Sequence, residues 1–166
     1  VLELAHWHKE RFHQYYPKDE TNNKPILEFV QYHYVINGCG NRFETRPDNK
    51  VGWHCANYNE DSIGIALCGN FEKSTPTMNQ INELYSLLLE LLNRHNLSPC
   101  DVVCHRTLTN TLCPGKNLVE AMPGLLDRIR TKIIRSKEIK ENTMKEHWYY
   151  KLWSKILGLL KLLKWN

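Results

Sequence analysis

The chain has 166 residues, 42% hydrophobic and 24% charged, which suits one globular domain able to bury a core without covalent staples. Its 22 Lys+Arg against 18 Asp+Glu give a net charge of +4, which favours anionic surfaces but is too small to specify a nucleic acid, so no nucleic-acid partner is predicted. Six cysteines (Cys39, Cys55, Cys68, Cys100, Cys104, Cys113) show no short-chain disulfide framework and read as reduced thiols made in a cytosol, and no signal peptide is visible.

Residues 1–14, VLELAHWHKERFHQ, place Leu4, Trp7 and Phe12 at helical spacing. His6, His8 and His13 lie among charges and read as solvated helix histidines. His6 and His13, seven apart, share a face, which leaves a metal role as a remote alternative. Residues 15–29 read as a polar loop broken by Pro17, Asn22, Asn23 and Pro25. QYHYVIN (31–37) alternates and is rich in strand formers, Gly38-Cys39-Gly40-Asn41 is a turn, and RFETR (42–46) is a second strand, so a hairpin is expected. Alternation puts Tyr32 and Tyr34 on one face and His33 and Val35 on the other.

Residues 47–61 form a loop with Trp53 and His54 directly after Gly52. An aromatic and a titratable group in a loop suit a binding site. Trp53 equally suits a pin that fastens the loop to the core, whereas His54 is harder to explain that way. SIGIALCGNF (62–71) is nearly continuous in apolar residues and predicts a central strand buried on both faces. Thr77 with Gln80 three residues later makes a capping box. The helix that follows has an apolar face of Ile81, Leu84, Leu88, Leu91 and Leu92 and ends at Asn96.

DVVCHRTLTNTLCPG (101–115) reads as a strand, Val102 to Cys104, ending in His105, then a Thr/Asn-rich loop and the turn Cys113-Pro114-Gly115. His105 and Cys113 are eight residues apart. Imidazole and thiolate are both good zinc ligands. A strand-end histidine and a buried core cysteine account for the same residues. A further helix spans 118–137, with Pro123-Gly124 interrupting its start. The order of elements predicts an α/β fold, a mixed central β-sheet flanked by helices, over 1–135.

Residues 136–146 read as a linker or a continuation of that helix, and 147–166, HWYYKLWSKILGLLKLLKWN, as a cationic amphipathic helix. Trp148, Leu152, Ile156, Leu159 and Leu163 share one side, while Lys151, Ser154, Gly158 and Lys161 occupy much of the other. No acidic residue follows Glu146. An anionic membrane surface, packing on the domain or a second copy, and a partner groove are the candidate occupants; lysines break every apolar run too soon for a spanning helix.

WHKE (7–10), QYHYVI (31–36), RFETRP (42–47), GWHCANYNEDSIGIALCGNF (52–71), TPTMNQ (75–80) and VVCHRTLTNTLCPG (102–115), in this order, resemble the zinc-dependent N-acetylmuramoyl-L-alanine amidases. That family includes amidase-type phage endolysins and peptidoglycan recognition proteins. The resemblance covers roughly residues 4 to 130, and its WHK and YHY pieces look most like the phage branch. It implies a Zn2+ cofactor, with His105 and Cys113 as two of three protein ligands. The remaining ligand is expected upstream of Val1, on a first strand missing from this sequence. The resemblance also implies that Tyr32 stands near the zinc-bound water and that Thr111 stands near the scissile carbonyl. There Thr111 replaces the lysine of phage enzymes and resembles the recognition-protein branch. His54, with Trp53, matches a loop that lines the substrate groove. The implied reaction is zinc-assisted hydrolysis of the amide between N-acetylmuramic acid and L-alanine. Bacterial peptidoglycan is the implied partner. A monomeric phage-type endolysin held in the host bacterial cytoplasm until it reaches the wall is the expected setting. A non-catalytic peptidoglycan-binding module is the alternative, and a membrane-active protein that works through its tail is a third.

Overall fold

A computed structural model of the chain describes residues 30–163, with side chains described to Ile156. The expected helix over 1–14, the loop 15–29, the histidines His6, His8 and His13, and the side chains of 157–166 lie outside the described residues.

The hairpin forms as its residue types predict. β1 (Tyr34–Ile36) and β2 (Arg42–Glu44) pair antiparallel, with Tyr34 opposite Glu44 and Ile36 opposite Arg42. The Asn37 side-chain oxygen ties the turn by accepting from the Cys39 and Asn41 N–H groups at 3.1 and 2.8 Å. Gly40 has φ +87°, and a Cβ there would lie 2.7 Å from Asn79 Cβ, so both backbone and neighbour require glycine. β3 (Ile65–Leu67) pairs parallel with β1, which makes the sheet mixed, in the order β2-β1-β3.

The centre of the sheet is not where the apolar run suggests. β1 is the middle strand and is buried throughout, whereas β3 is half-buried at one edge among the described residues. Only Ile65–Leu67 of the 62–71 run are strand.

α1 (Met78–Arg94) starts at the expected capping box. Thr77 Oγ1 accepts from the Gln80 N–H, and Gln80 Oε1 accepts from the Thr77 N–H, both at 3.1 Å. The same two side chains also dock the helix on the sheet. Thr77 Oγ1 donates to the Gly38 carbonyl at 3.0 Å, and buried Gln80 donates through Nε2 to the Cys68 carbonyl at 2.9 Å. Leu84, Leu87, Leu88, Leu91 and Leu92 form its buried face.

Val102–Cys104 are not a strand. A 3-10 turn over Pro99–Asp101 precedes them, closed by the Asp101 carboxylate, which accepts from the Ser98 N–H and hydroxyl. The Val102 N–H goes back to the Pro99 carbonyl, no ladder forms, and Val103 faces solvent. His105 is therefore not at a strand end but opens the short helix α2 (His105–Leu108). α3 (Lys116–Leu163) then runs without the expected interruption, since Pro123 lies inside it at the cost of one backbone bond. The chain divides into two compact units, 1–125 and 126–166. Residues 136–146 are helical, and every residue from 137 to 156 is exposed. None of the six cysteines forms a disulfide.

Candidate active site

The candidate residues come from three segments: the bend before β1, the loop ahead of β3, and the 105–115 segment. A bend over residues 31–33 breaks the alternation expected of β1. Tyr32 consequently packs with Val30, Val35, Ala66 and Cys68, on the side to which alternation assigned Val35 and not Tyr34. Tyr34 instead sends its hydroxyl to Asp48 at 2.7 Å, and burial together with that carboxylate pushes its pKa up to about 12.

His33, 1% exposed, is a structural keystone. Its Nδ1 accepts from the Gly64 N–H at 3.0 Å and its Nε2 donates to the Lys50 carbonyl at 2.8 Å. That pairing requires the neutral imidazole, and burial lowers its pKa in the same sense. The His33 ring stands edge-on to His54, 5.5 Å between centroids, and the Tyr32 ring is 6.0 Å from His54 on another side.

His54 is fixed through both backbone and ring. Asn59 Oδ1 accepts from the His54 and Cys55 N–H groups, each at 2.8 Å. Ser62 donates to the Tyr58 carbonyl and stands 3.0 Å from His54 Nε2. Nδ1 is buried, and the Gln31 carbonyl is the backbone acceptor that acts on the ring. Two glycines admit the ring: a Cβ at Gly64 would lie 2.4 Å from His54 Cγ, and one at Gly52 would lie 2.7 Å from Nδ1. Burial, the neighbouring His33 and, more weakly, His105 press the His54 pKa down to about 4 against the opposing hydrogen bond of the Gln31 backbone, so the ring is neutral at pH 7.

The 105–115 segment folds back on itself around Arg106. The Arg106 N–H donates to the Cys113 carbonyl at 3.0 Å and its Nη2 to the Leu112 carbonyl at 2.8 Å. The same guanidinium pairs with Glu72 at 3.2 Å, and Glu72 Oε1 also accepts from the Lys116 N–H at 2.8 Å. Gly115, with φ +99°, lets the turn settle on the backbone of Phe71, where a Cβ would come within 2.4 Å of the Phe71 carbonyl carbon. Thr111 Oγ1 accepts from the Cys113 N–H at 3.2 Å, which keeps the hydroxyl proton available for another acceptor.

Electrostatics tie these segments together. Burial and then the Cys113 and Cys55 thiols raise the Tyr32 pKa, so Tyr32 and Cys113 feel one another's charge. His54 and His105 are linked in the same way. Cys113 is exposed as a residue, yet its sulfur faces enough protein that burial raises its pKa, helped by Cys104 and opposed by Arg106. Tyr32 and His54 meet through their rings, while Cys113 acts on Tyr32, and His105 on His54, only as lesser electrostatic influences, with Thr111 at the Cys113 backbone. Trp53 is 59% exposed, which is not the burial of a core pin. A half-open cavity lined by His33, Asp48, Lys50, Glu60 and Ser62 includes none of Tyr32, His105, Thr111 or Cys113, and so does not mark the site of the chemistry.

His105 and Cys113 offer a nitrogen and a sulfur donor of the kinds zinc takes. Among the described residues, no group of three His, Cys, Asp or Glu side chains lies together to hold an ion. Their donor types suit zinc, and their number is two. Of the supports, the sequence pattern does not reveal Glu72, Ser62, Asn59 and the two glycines at His54. Arg106 alone carries a visible signal, a guanidinium next to a candidate ligand.

Comparison with known proteins bears on the same region. Residues 5–116, well over half of the chain, match the family model described as N-acetylmuramoyl-L-alanine amidase. The chain is 37% identical over 90 residues to peptidoglycan-recognition protein SC2 of Drosophila melanogaster, covering 54% of this chain and 49% of that protein. It is 35% identical over 96 residues to peptidoglycan-recognition protein SC1a of the same organism, covering 57% and 52%. It thus spans about half the length of the curated relatives it matches. Among solved structures it resembles N-acetylmuramoyl-L-alanine amidase LysC from Clostridium intestinale URNW, with TM-score 0.55, 33% identity, and 59% of this chain against 65% of that one. A small mixed sheet flanked by helices and a family match over residues 5–116 lead to one conclusion: the chain belongs to the N-acetylmuramoyl-L-alanine amidase family.

Proposed function

We propose that the chain is a peptidoglycan hydrolase of the phage endolysin type that cleaves the amide between N-acetylmuramic acid and L-alanine with zinc-activated water. The observation that carries this reading is the family match over residues 5–116, which spans Tyr32, His54, His105 and Cys113, with the Tyr32 and His54 rings 6.0 Å apart. His105 and Cys113 are the residues that would hold zinc. When bound, zinc supplies a Lewis acid and a water of pKa near 7. Tyr32, kept as a phenol by burial, hydrogen-bonds and orients the attacking water and does not take its proton. The Thr111 hydroxyl, whose oxygen accepts from the Cys113 N–H, gives its proton as a hydrogen bond to the developing oxyanion. Neutral His54 and exposed Trp53 contact the glycan–peptide substrate.

Mass spectrometry of purified peptidoglycan incubated with the chain, with zinc and with a chelator, tests the reading. Free stem peptide with an L-alanine N-terminus, absent with chelator and absent for Cys113→Ser, supports it. Retained pelleting on peptidoglycan without release supports a non-catalytic binding module instead. The presence of two donors, not three, among the described residues favours that second reading.

A further inference from the structure

The last stretch of α3 is chemically unlike the rest of that helix. From 126 to 146 acids and bases alternate and pair along the surface, as Asp127 with Arg130 at 3.5 Å and Glu141 with Lys145 at 3.1 Å. From 147 on there is no acid, while Lys151, Lys155, Lys161 and Lys164 remain. The apolar and aromatic residues of this stretch as far as Ile156 are not buried. Trp148 and Trp153 are 59% and 60% exposed, and Tyr149, Tyr150, Leu152 and Ile156 are exposed as well. At 100° per residue, Trp148, Tyr149, Leu152, Trp153 and Ile156 fall within one half of the helix, and Lys151 and Lys155 in the other.

We infer that residues 147–163 bind the surface of an anionic lipid bilayer, lying in its interface with Trp148 and Trp153 at headgroup depth. Three observations select this occupant. The lysines have no acidic neighbours to neutralise them, so their field is complementary to anionic headgroups. Tryptophan and tyrosine beside aliphatic residues suit the boundary between headgroups and hydrocarbon. No described helix is long and apolar enough to cross a membrane, so the helix lies on the surface. A second copy of the helix, or an apolar groove on a protein partner, leaves the uniform positive charge unanswered. The inference does not depend on the amidase reading, since it uses none of the site residues.

The test is co-sedimentation of the full chain with phosphatidylcholine vesicles and with vesicles in which about a third of the lipid is phosphatidylglycerol. Binding is expected to the second kind only, with a blue shift of tryptophan emission and strong weakening by salt. Each lysine contributes about fivefold, so Lys151→Gln with Lys155→Gln weakens binding about 25-fold. Trp148→Ala with Trp153→Ala removes most of the blue shift. Cys113→Ser leaves binding unchanged. Equal binding to both vesicles, or none to either, overturns the inference. So does a dimer in sedimentation velocity that the double tryptophan variant abolishes while vesicle binding is untouched. Circular dichroism of each variant shows whether the helix is kept, and all these positions are exposed.

Discussion

The two sides of the candidate site are held by different means. The imidazole side, around His33 and His54, is a buried web in which every polar contact is internal and two glycines leave no spare volume. The thiol side, residues 105–115, lies near the surface and hangs on Arg106, Glu72 and the tight turn at Gly115. A buried web resists change and couples strongly to stability, whereas a surface loop sets geometry while contributing little to the core. Substitutions on the two sides should therefore separate activity from stability.

The largest expected effect falls on the thiol side. Cys113→Ser, measured as release of stem peptide, lowers hydrolysis by about a thousandfold or more, because the candidate metal loses its sulfur donor. Its thermal midpoint stays within a few degrees of the parent, because Cys113 is exposed. A large drop in the midpoint would break the proposed division between the sides.

Gly64→Ala makes the complementary test on the imidazole side. The added methyl meets His54 Cγ, the root of the ring and not a flexible end, at 2.4 Å. Either the ring or the Gly64 N–H bond to His33 must give way. About 3 kcal/mol of destabilisation is expected in denaturant unfolding, from overpacking in a filled interior. An unchanged midpoint would show that the ring is free to move and that the web is looser than its contacts imply.

These contrasts also mark what the sequence made legible. The hairpin and the capping box rest on local chemistry, an Asx-tied glycine turn and a Thr/Gln pair, and both are present where their residues predict them. The Val102–Cys104 strand is absent because a short apolar run carries no information on whether a partner strand lies beside it. Tyr32 left its expected face because the bend at 31–33 is set by tertiary bonds, among them His33 Nδ1 to the Gly64 N–H, formed 31 residues apart. The candidate site residues were nameable from their motifs. Their supports were not, since Glu72 lies 34 residues before Arg106. Nothing local marks a glutamate as the anchor of a distant arginine.

Glu72→Gln sharpens the comparison further. The amide keeps the shape but weakens the bonds to the Arg106 guanidinium and the Lys116 N–H. As a positioning residue, Glu72 should change the affinity for zinc or the rate by about tenfold, the range for groups that orient ligands. Zinc affinity read with a competing chelator separates the two effects. Restoration by Glu72→Asp is not expected, because the shorter side chain does not span both partners.

The smallest effect is a pH dependence confined to the imidazole side. The folded pKa of His54, about 4, lies below its ordinary value near 6.5, so as pH falls the unfolded chain takes up its proton first. The stability tied to neutral His54 is thus fully present above about pH 6.5 and is lost as pH falls toward 4. His33, also lowered by burial, acts in the same direction. Partial solvent access screens the effect, so between pH 7 and pH 5 the thermal midpoint should fall by about 4 °C more in the parent than in His54→Asn. The Cys113 thiol offers no such slope in this range, since its pKa is raised above an already alkaline value. Equal slopes in the parent and His54→Asn would show that the ring has water enough to take a proton without disturbing the web.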